Sequence, residues 1–173
     1  MMLLHFVRAR GHQLGAGAAL AAAAMSPIVA HADIQSASAN ARVYQPINFA
    51  VLLELEFGSI VADSLGGTVT LDPASGTRDC AGGSLICAGT FSWSRLQLTG
   101  SDATVVVTYA PSFTLTGPGV PITAELDFPG GSGTSVALTG GSTTIEIGAK
   151  LHVNANQAPG PYTGLFSVDV NYQ

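Results

Sequence analysis

The stretch Ile122-Thr-Ala-Glu-Leu-Asp-Phe128 sets an apolar residue at every second position and a polar one between. A β-strand turns successive side chains to opposite faces, so this pattern makes a strand with one face in a core and the other in water. A helix would need its apolar residues three and four apart. Outward from this stretch the same period recurs. Leu53, Leu55 and Phe57 alternate with Glu54 and Glu56. Thr68-Val-Thr-Leu71 is a short strand stopped by Asp72-Pro73. The segment from Phe91 to Leu98 carries Phe91, Trp93, Leu96 and Leu98, and its change of parity between Trp93 and Leu96 predicts a bulge. Thr104 to Tyr109 reads as a more buried strand. Val136–Leu138, Thr143–Ile147 and Ala149–Val153 follow, and a last, regular strand is expected over Tyr162–Tyr172. Glycine pairs at 66–67, 82–83, 130–131 and 140–141 break the chain between them. Strands at this spacing predict an all-β fold, an antiparallel immunoglobulin-like β-sandwich, with the single tryptophan in its core.

The N-terminal segment reads differently. Arg8 and Arg10 precede the apolar run Leu14–Met25, and Ala30-His31-Ala32 offers small residues at the positions a signal peptidase requires. The expectation is a cleaved signal peptide over 1–32 and a single β-sandwich domain over 33–173, exported to the periplasm, the cell surface or the medium. The apolar run is too short to hold a membrane span, and no second such run follows, so no integral span is expected after cleavage. Beyond Ala32 the chain keeps four cations, Arg42, Arg78, Arg95 and Lys150, against eleven acids, a formal charge of −7. Phosphate backbones and anionic membranes demand clustered Lys and Arg, so nucleic acid is excluded as a partner. Cys80 and Cys87 are the two cysteines, and in an exported protein they read as a disulfide pinning a glycine-rich loop.

Catalytic chemistry finds little to stand on. His152 is the one histidine after the leader, and it lies in a strand-like run, which leaves no Ser-His-Asp arrangement. Gly131-Ser-Gly-Thr-Ser135 lacks the strand–elbow–helix setting of a nucleophile. Glu54 and Glu56 share a strand face about 7 Å apart, a separation compatible with glycosidase carboxylates, but the pattern is also that of a solvated strand face. Asp63, Asp72, Asp79 and Asp102 are placed at turns, where carboxylates cap backbone amides. No cofactor motif and no metal-ligand spacing is present.

Two stretches carry a family resemblance. One is Glu56-Phe57-Gly58-Ser59-Ile60 with Gly67 to Arg78; the other is Leu151 to Gln173, ending Pro-Gly-Pro-Tyr-Thr-Gly-Leu-Phe-Ser-Val-Asp-Val-Asn-Tyr-Gln. Together they resemble the domain of unknown function 4402 family of exported bacterial β-rich proteins. The terminal stretch is also similar to the end of chaperone–usher pilus subunits and of spore-coat-U-like secreted pilus proteins. Those families have a glycine fourteenth from the end and a penultimate tyrosine, positions held here by Gly160 and Tyr172. Tyr162, Phe166, Val168 and Val170 fall on one alternating face, with Gly164 as a gap. The resemblance implies an assembly edge at these residues, paired first with a periplasmic chaperone and then with another copy. The segment 33–42 has small side chains and no turn residue, and is either a loose tail or a strand awaiting a partner. The function expected is a non-catalytic structural or surface-fibre subunit, not an enzyme. The alternative is a monomeric adhesin-like binding module.

Overall fold

The computed structural model describes residues 34–173. The expected signal peptide and Asp33 lie outside them. The chain divides into two units, Met1–Asn40 and Ala41–Gln173. Within the first, the described residues 34–40 carry no strand.

The second unit is antiparallel and all-β. Its strands are β1 (Asn48–Leu53), β2 (Ser59–Val61), β3 (Gly67–Asp72), β4 (Thr77–Ala81), β5 (Ile86–Ala88), β6 (Ser94–Thr99), β7 (Thr104–Tyr109), β8 (Ser112–Leu115), β9 (Ile122–Asp127), β10 (Thr134–Ala137), β11 (Ser142–Val153) and β12 (Val168–Tyr172). The larger sheet runs β1-β6-β11-β3-β4, with β9 also on β11 and β8 on β9. The smaller sheet is β10-β7-β12, and β2 pairs with β5 alone. Among the described residues no helix is long and apolar enough to cross a membrane.

Alternation makes the core. On β9, Ile122, Ala124 and Leu126 are buried while Thr123, Glu125 and Asp127 face out. Val69 and Leu71 of β3, Leu98 of β6 and Ile147 of β11 meet Val107 from the smaller sheet in one cluster. Each such large aliphatic side chain contributes about 1.5–3 kcal/mol on burial.

The expected pair of strands at 143–147 and 149–153 is one strand. Residues Ser142–Ile147 of β11 pair with β6, and the stretch beyond runs between β9 and β3. Gly148 does not break it. This glycine is buried, and a side chain there would run into the Leu71 carbonyl and Pro73, so its bareness lets β3 come close.

Three further expectations need correction. The irregularity expected between Trp93 and Leu96 lies on the partner strand, between Val51 and Leu53 of β1. The strand there is 48–53, and Glu56 beyond it is held only by a bridge to Ser92. Trp93 is half-buried and is not part of the core cluster. It shares the outward parity of Arg95 and Gln97, opposite the buried Ser94, Leu96 and Leu98, and its indole ring lies beside Gly76 in the β3–β4 turn. The third is Asp79, which sits in β4, not in a turn. Asp63 and Asp72 do cap turns. The Leu65 amide donates to Asp63, and the Ser75 hydroxyl and Ala74 amide donate to Asp72. These bonds hold both carboxyls below their ordinary range, so the turns they stabilise weaken as pH falls through the lowered values.

Cys80 and Cys87 form the expected disulfide. It does more than pin a loop, because it ties β4 of the larger sheet to β5 of the separate β2–β5 pair. Arg78 reinforces the same joint. Its Nη1 donates to the carbonyls of Phe57 and Ala88, 3.0 Å each, and its guanidinium stands 4.8 Å over the Phe91 ring.

Candidate functional site

The C-terminal stretch is the most specific feature of the sequence, and the structure gives it two different backbones. Only Val168–Tyr172 is strand. The expected strand from Tyr162 fails to form because the chain there changes sheets. Pro159 and Pro161 lack amide donors. Thr163 exchanges two hydrogen bonds with Thr116, just past β8, at 2.8 and 3.0 Å. Gly164 then passes against the Thr114 carbonyl and the Leu115 Cα, where any side chain would collide. Phe166 packs on Phe113 with ring centroids 5.4 Å apart, and from Val168 the chain joins β7 of the smaller sheet. Gly160 holds φ 139°, which favours glycine, with Pro118 pressed against it.

Tyr162, Phe166, Val168, Val170 and Tyr172 are all half-buried, and the first four pack against the core. Tyr162 is anchored by its hydroxyl, which donates to the Ala158 carbonyl and accepts from the Gly119 amide, 2.9 Å each. Gln157 Nε2 adds a bond to the same hydroxyl at 2.8 Å. Tyr172 makes a clasp of its own. Its hydroxyl donates to the Gln45 carbonyl at 2.8 Å and accepts from the Ser101 amide at 2.7 Å. Its ring stacks on Tyr44 at 4.5 Å and 14°. Gln45 in turn donates its amide to the Ser101 hydroxyl at 2.8 Å. The end of β12 is thereby fixed beside the start of β1.

Two strand edges lie near that clasp. β12 is paired on one side only, with β7, among the described residues. Among the described residues β1 pairs only with β6. Phe49 lies opposite Leu98 and Val51 opposite Leu96, and cross-strand partners share a face. Leu96 and Leu98 are buried on that face, yet Phe49 is 47% and Val51 57% exposed. The core side of β1 is therefore uncovered. Farther along, Leu55–Ala62 faces Gln157–Tyr162 across a cavity of about 810 Å³ that reaches Leu115, Ile122, Leu151 and Val153. One flank of the unit thus carries the exposed apolar side chains of β1 and, beyond them, an open groove of mixed polar and apolar lining, with Glu56 the one carboxylate among its described lining residues.

The sequence marks the C-terminal wall of this groove and leaves the other unmarked. Asn48–Leu53 has no alternation to reveal it, since all six residues are exposed. The candidate chemical residues do not gather. Glu54 and Glu56 are both exposed. His152 Nε2 stands 3.2 Å from Glu125 on the outer face of the larger sheet. Both side chains of that pair are well exposed, so His152→Ala will change stability by no more than about 0.5 kcal/mol, measured as a urea midpoint. Among the described residues no three His, Cys, Asp or Glu side chains cluster as metal ligands.

Comparison with known proteins gives one match. The model of a family described as a domain of unknown function, DUF4402, fits residues 47–172. No curated protein matches the chain, and no solved structure does. The matched region takes in all twelve strands and both walls of the groove, and the chain belongs to the DUF4402 family.

Proposed function

We propose that this is an exported, non-catalytic subunit of a surface fibre, which receives a β-strand from a neighbouring copy along the open edge of β12. The observation that carries the reading is the groove itself. Among the described residues β12 has one unpaired edge, its Tyr172 is tied to the Tyr44–Gln45 segment that leads into β1, and the core-facing Phe49 and Val51 of β1 are left exposed. A strand laid there would complete the ladder of the smaller sheet and bury both walls.

The donor is the segment Ile34–Val43 of the next copy. It forms no strand in its own chain. Ala37, Ala39, Ala41 and Val43 alternate strictly with Ser36, Ser38, Asn40 and Arg42, which makes a strand with one small apolar face. Small side chains gain only about 0.8 kcal/mol per buried CH₂, so backbone pairing with β12 supplies the larger share of the attachment. Export is supported by the leader pattern ending at Ala32 and by a disulfide of the kind that persists outside the cytoplasm.

Deleting residues 34–41 tests the reading. The shortened chain should be exported and folded, yet absent from the heat-labile, SDS-resistant oligomers that the intact chain forms. Ladders of equal length and abundance from both chains would count against strand donation.

A further inference from the structure

Tyr44 and Gln45 are fastened to the last residue of β12, so the root of the donor segment is fixed at one end of the edge that the segment would fill. Within one chain so short a tether sets an effective concentration on the order of millimolar, and a tail caps its own edge unless geometry forbids it. Residues 34–43 nevertheless form no strand, and among the described residues the outer edge of β12 is unpaired. The way Tyr44 and Gln45 are held supplies the reason.

The first restriction is direction. β12 runs from Val168 to Tyr172, and Tyr44 stacks on its last residue. A tail that lies along β12 and then reaches Tyr44 runs the same way as β12, which is the less stable ladder. To pair antiparallel, Val43 would have to lie beside Val168, roughly 13 Å from Tyr172 along the strand. One peptide step on to Tyr44 covers only about 3.8 Å. The second restriction is distance from the ladder. The Tyr172 phenol donates to the Gln45 carbonyl at 2.8 Å and accepts from the Ser101 amide at 2.7 Å. Gln45 thus meets the tip of the Tyr172 side chain, a tyrosine's length from the β12 backbone, whereas a ladder partner lies about 4.8 Å beside it. The Gln45 amide, bonded to the Ser101 hydroxyl at 2.8 Å, keeps the root there.

We propose that the clasp of Tyr44, Gln45 and Tyr172 is a device against self-capping: it holds the root of the tail off its own ladder, so that each copy keeps its edge open and gives its strand to another. This rests on strand donation as read above and adds why the donor is a second copy. The restriction is one of chain length and direction, so added length alone removes it.

The test is a mature chain with about eight Gly and Ser residues inserted between Val43 and Tyr44, a reach of about 16 Å that lets the tail turn and lie along β12 with the clasp intact. Hydrogen exchange is followed at concentrations where the chains sediment as monomers. In the parent monomer the β12 amides that do not bond β7 should exchange quickly. The insertion should slow them at least about tenfold, independently of protein concentration. Deleting residues 34–41 from the lengthened chain should restore fast exchange. In the oligomer assay the lengthened chain should run as a monomer where the parent forms ladders. A synthetic peptide of Ile34–Val43 separates this proposal from the reading beneath it. If the peptide protects β12 and the lengthened tail does not, the clasp proposal is overturned and strand donation stands. A parent monomer whose β12 is already protected by its own tail would overturn it as well. If the peptide protects β12 in none of the chains, strand donation and the role given to the clasp fall together.

Discussion

Replacing Tyr172 with alanine will destabilise the folded protein by about 2–3 kcal/mol, read as a fall in urea midpoint at constant slope. The expectation follows from three interactions that disappear together. The ring leaves its stack on Tyr44, and the hydroxyl leaves both the Ser101 amide and the Gln45 carbonyl. Tyr172→Phe separates the two effects. It keeps the stack and removes the hydroxyl, and it should cost about 1–1.5 kcal/mol. The alanine variant should also loosen the chain before β1, because the Gln45 backbone is tied down by the Tyr172 and Ser101 hydroxyls. Faster amide exchange at Gln45 and Asn48, with the β9–β11 pair unchanged, is the local signature. Both variants within about 0.5 kcal/mol of the parent would mean that the clasp carries no stability. Tyr172 thus has work inside its own subunit, apart from any part it plays as a neighbour's pairing edge.

The second large effect belongs to the disulfide. Cys80→Ser with Cys87→Ser should cost about 2–3 kcal/mol, from the freedom the unlinked chain regains in the unfolded state. The structural consequence should be local. Among the described residues β2 and β5 pair with each other over three rungs and with no further strand. A two-stranded ribbon of that length is not stable unaided. Besides the packing of Ile60 and Cys87 on the core, it is attached by the disulfide to β4 and by the hydrogen bond from Arg78 to the Ala88 carbonyl. Removing the disulfide should therefore raise hydrogen exchange at Ser59–Val61 and Ile86–Ala88 well above the change at β3. Because Ser59–Val61 also lines the cavity, the variant should weaken whatever the groove holds. Equal midpoints for parent and variant, or uniform loss of protection across both sheets, would contradict this account of the joint.

What can be read in advance tracks how local the cause is. β7 spans Thr104–Tyr109 and β9 spans Ile122–Asp127, as their patterns foretell, because each has one face in the core and turn residues at its ends. β2, β5 and β8 leave no readable pattern. They are three or four residues long, and β5 is held by a disulfide and an Arg78 hydrogen bond from neighbouring β4. Gly148 has the sequence character of a break and is a point of close approach. The alternation from Tyr162 to Tyr172 tells which side chains turn inward, but not which backbone they hang from. An apolar period reports a buried face, and a chain crossing between two sheets can keep that face without a ladder. The opposite wall of the groove is illegible for the converse reason: Asn48–Leu53 pairs as a strand while burying neither face, so it has no pattern to betray it.

The claim that the groove receives a strand is tested most directly by hydrogen exchange on the chain lacking residues 34–41, with and without a synthetic peptide of Ile34–Val43. Alone, the amides of β12 that do not bond β7 should exchange quickly. With peptide they should become protected in a saturable way, while the core pair β9–β11 stays as it was. If the lone chain is a soluble monomer whose β12 amides are all protected already, and no concentration of peptide changes them, the sandwich completes its own fold and the fibre reading gives way to a self-contained module.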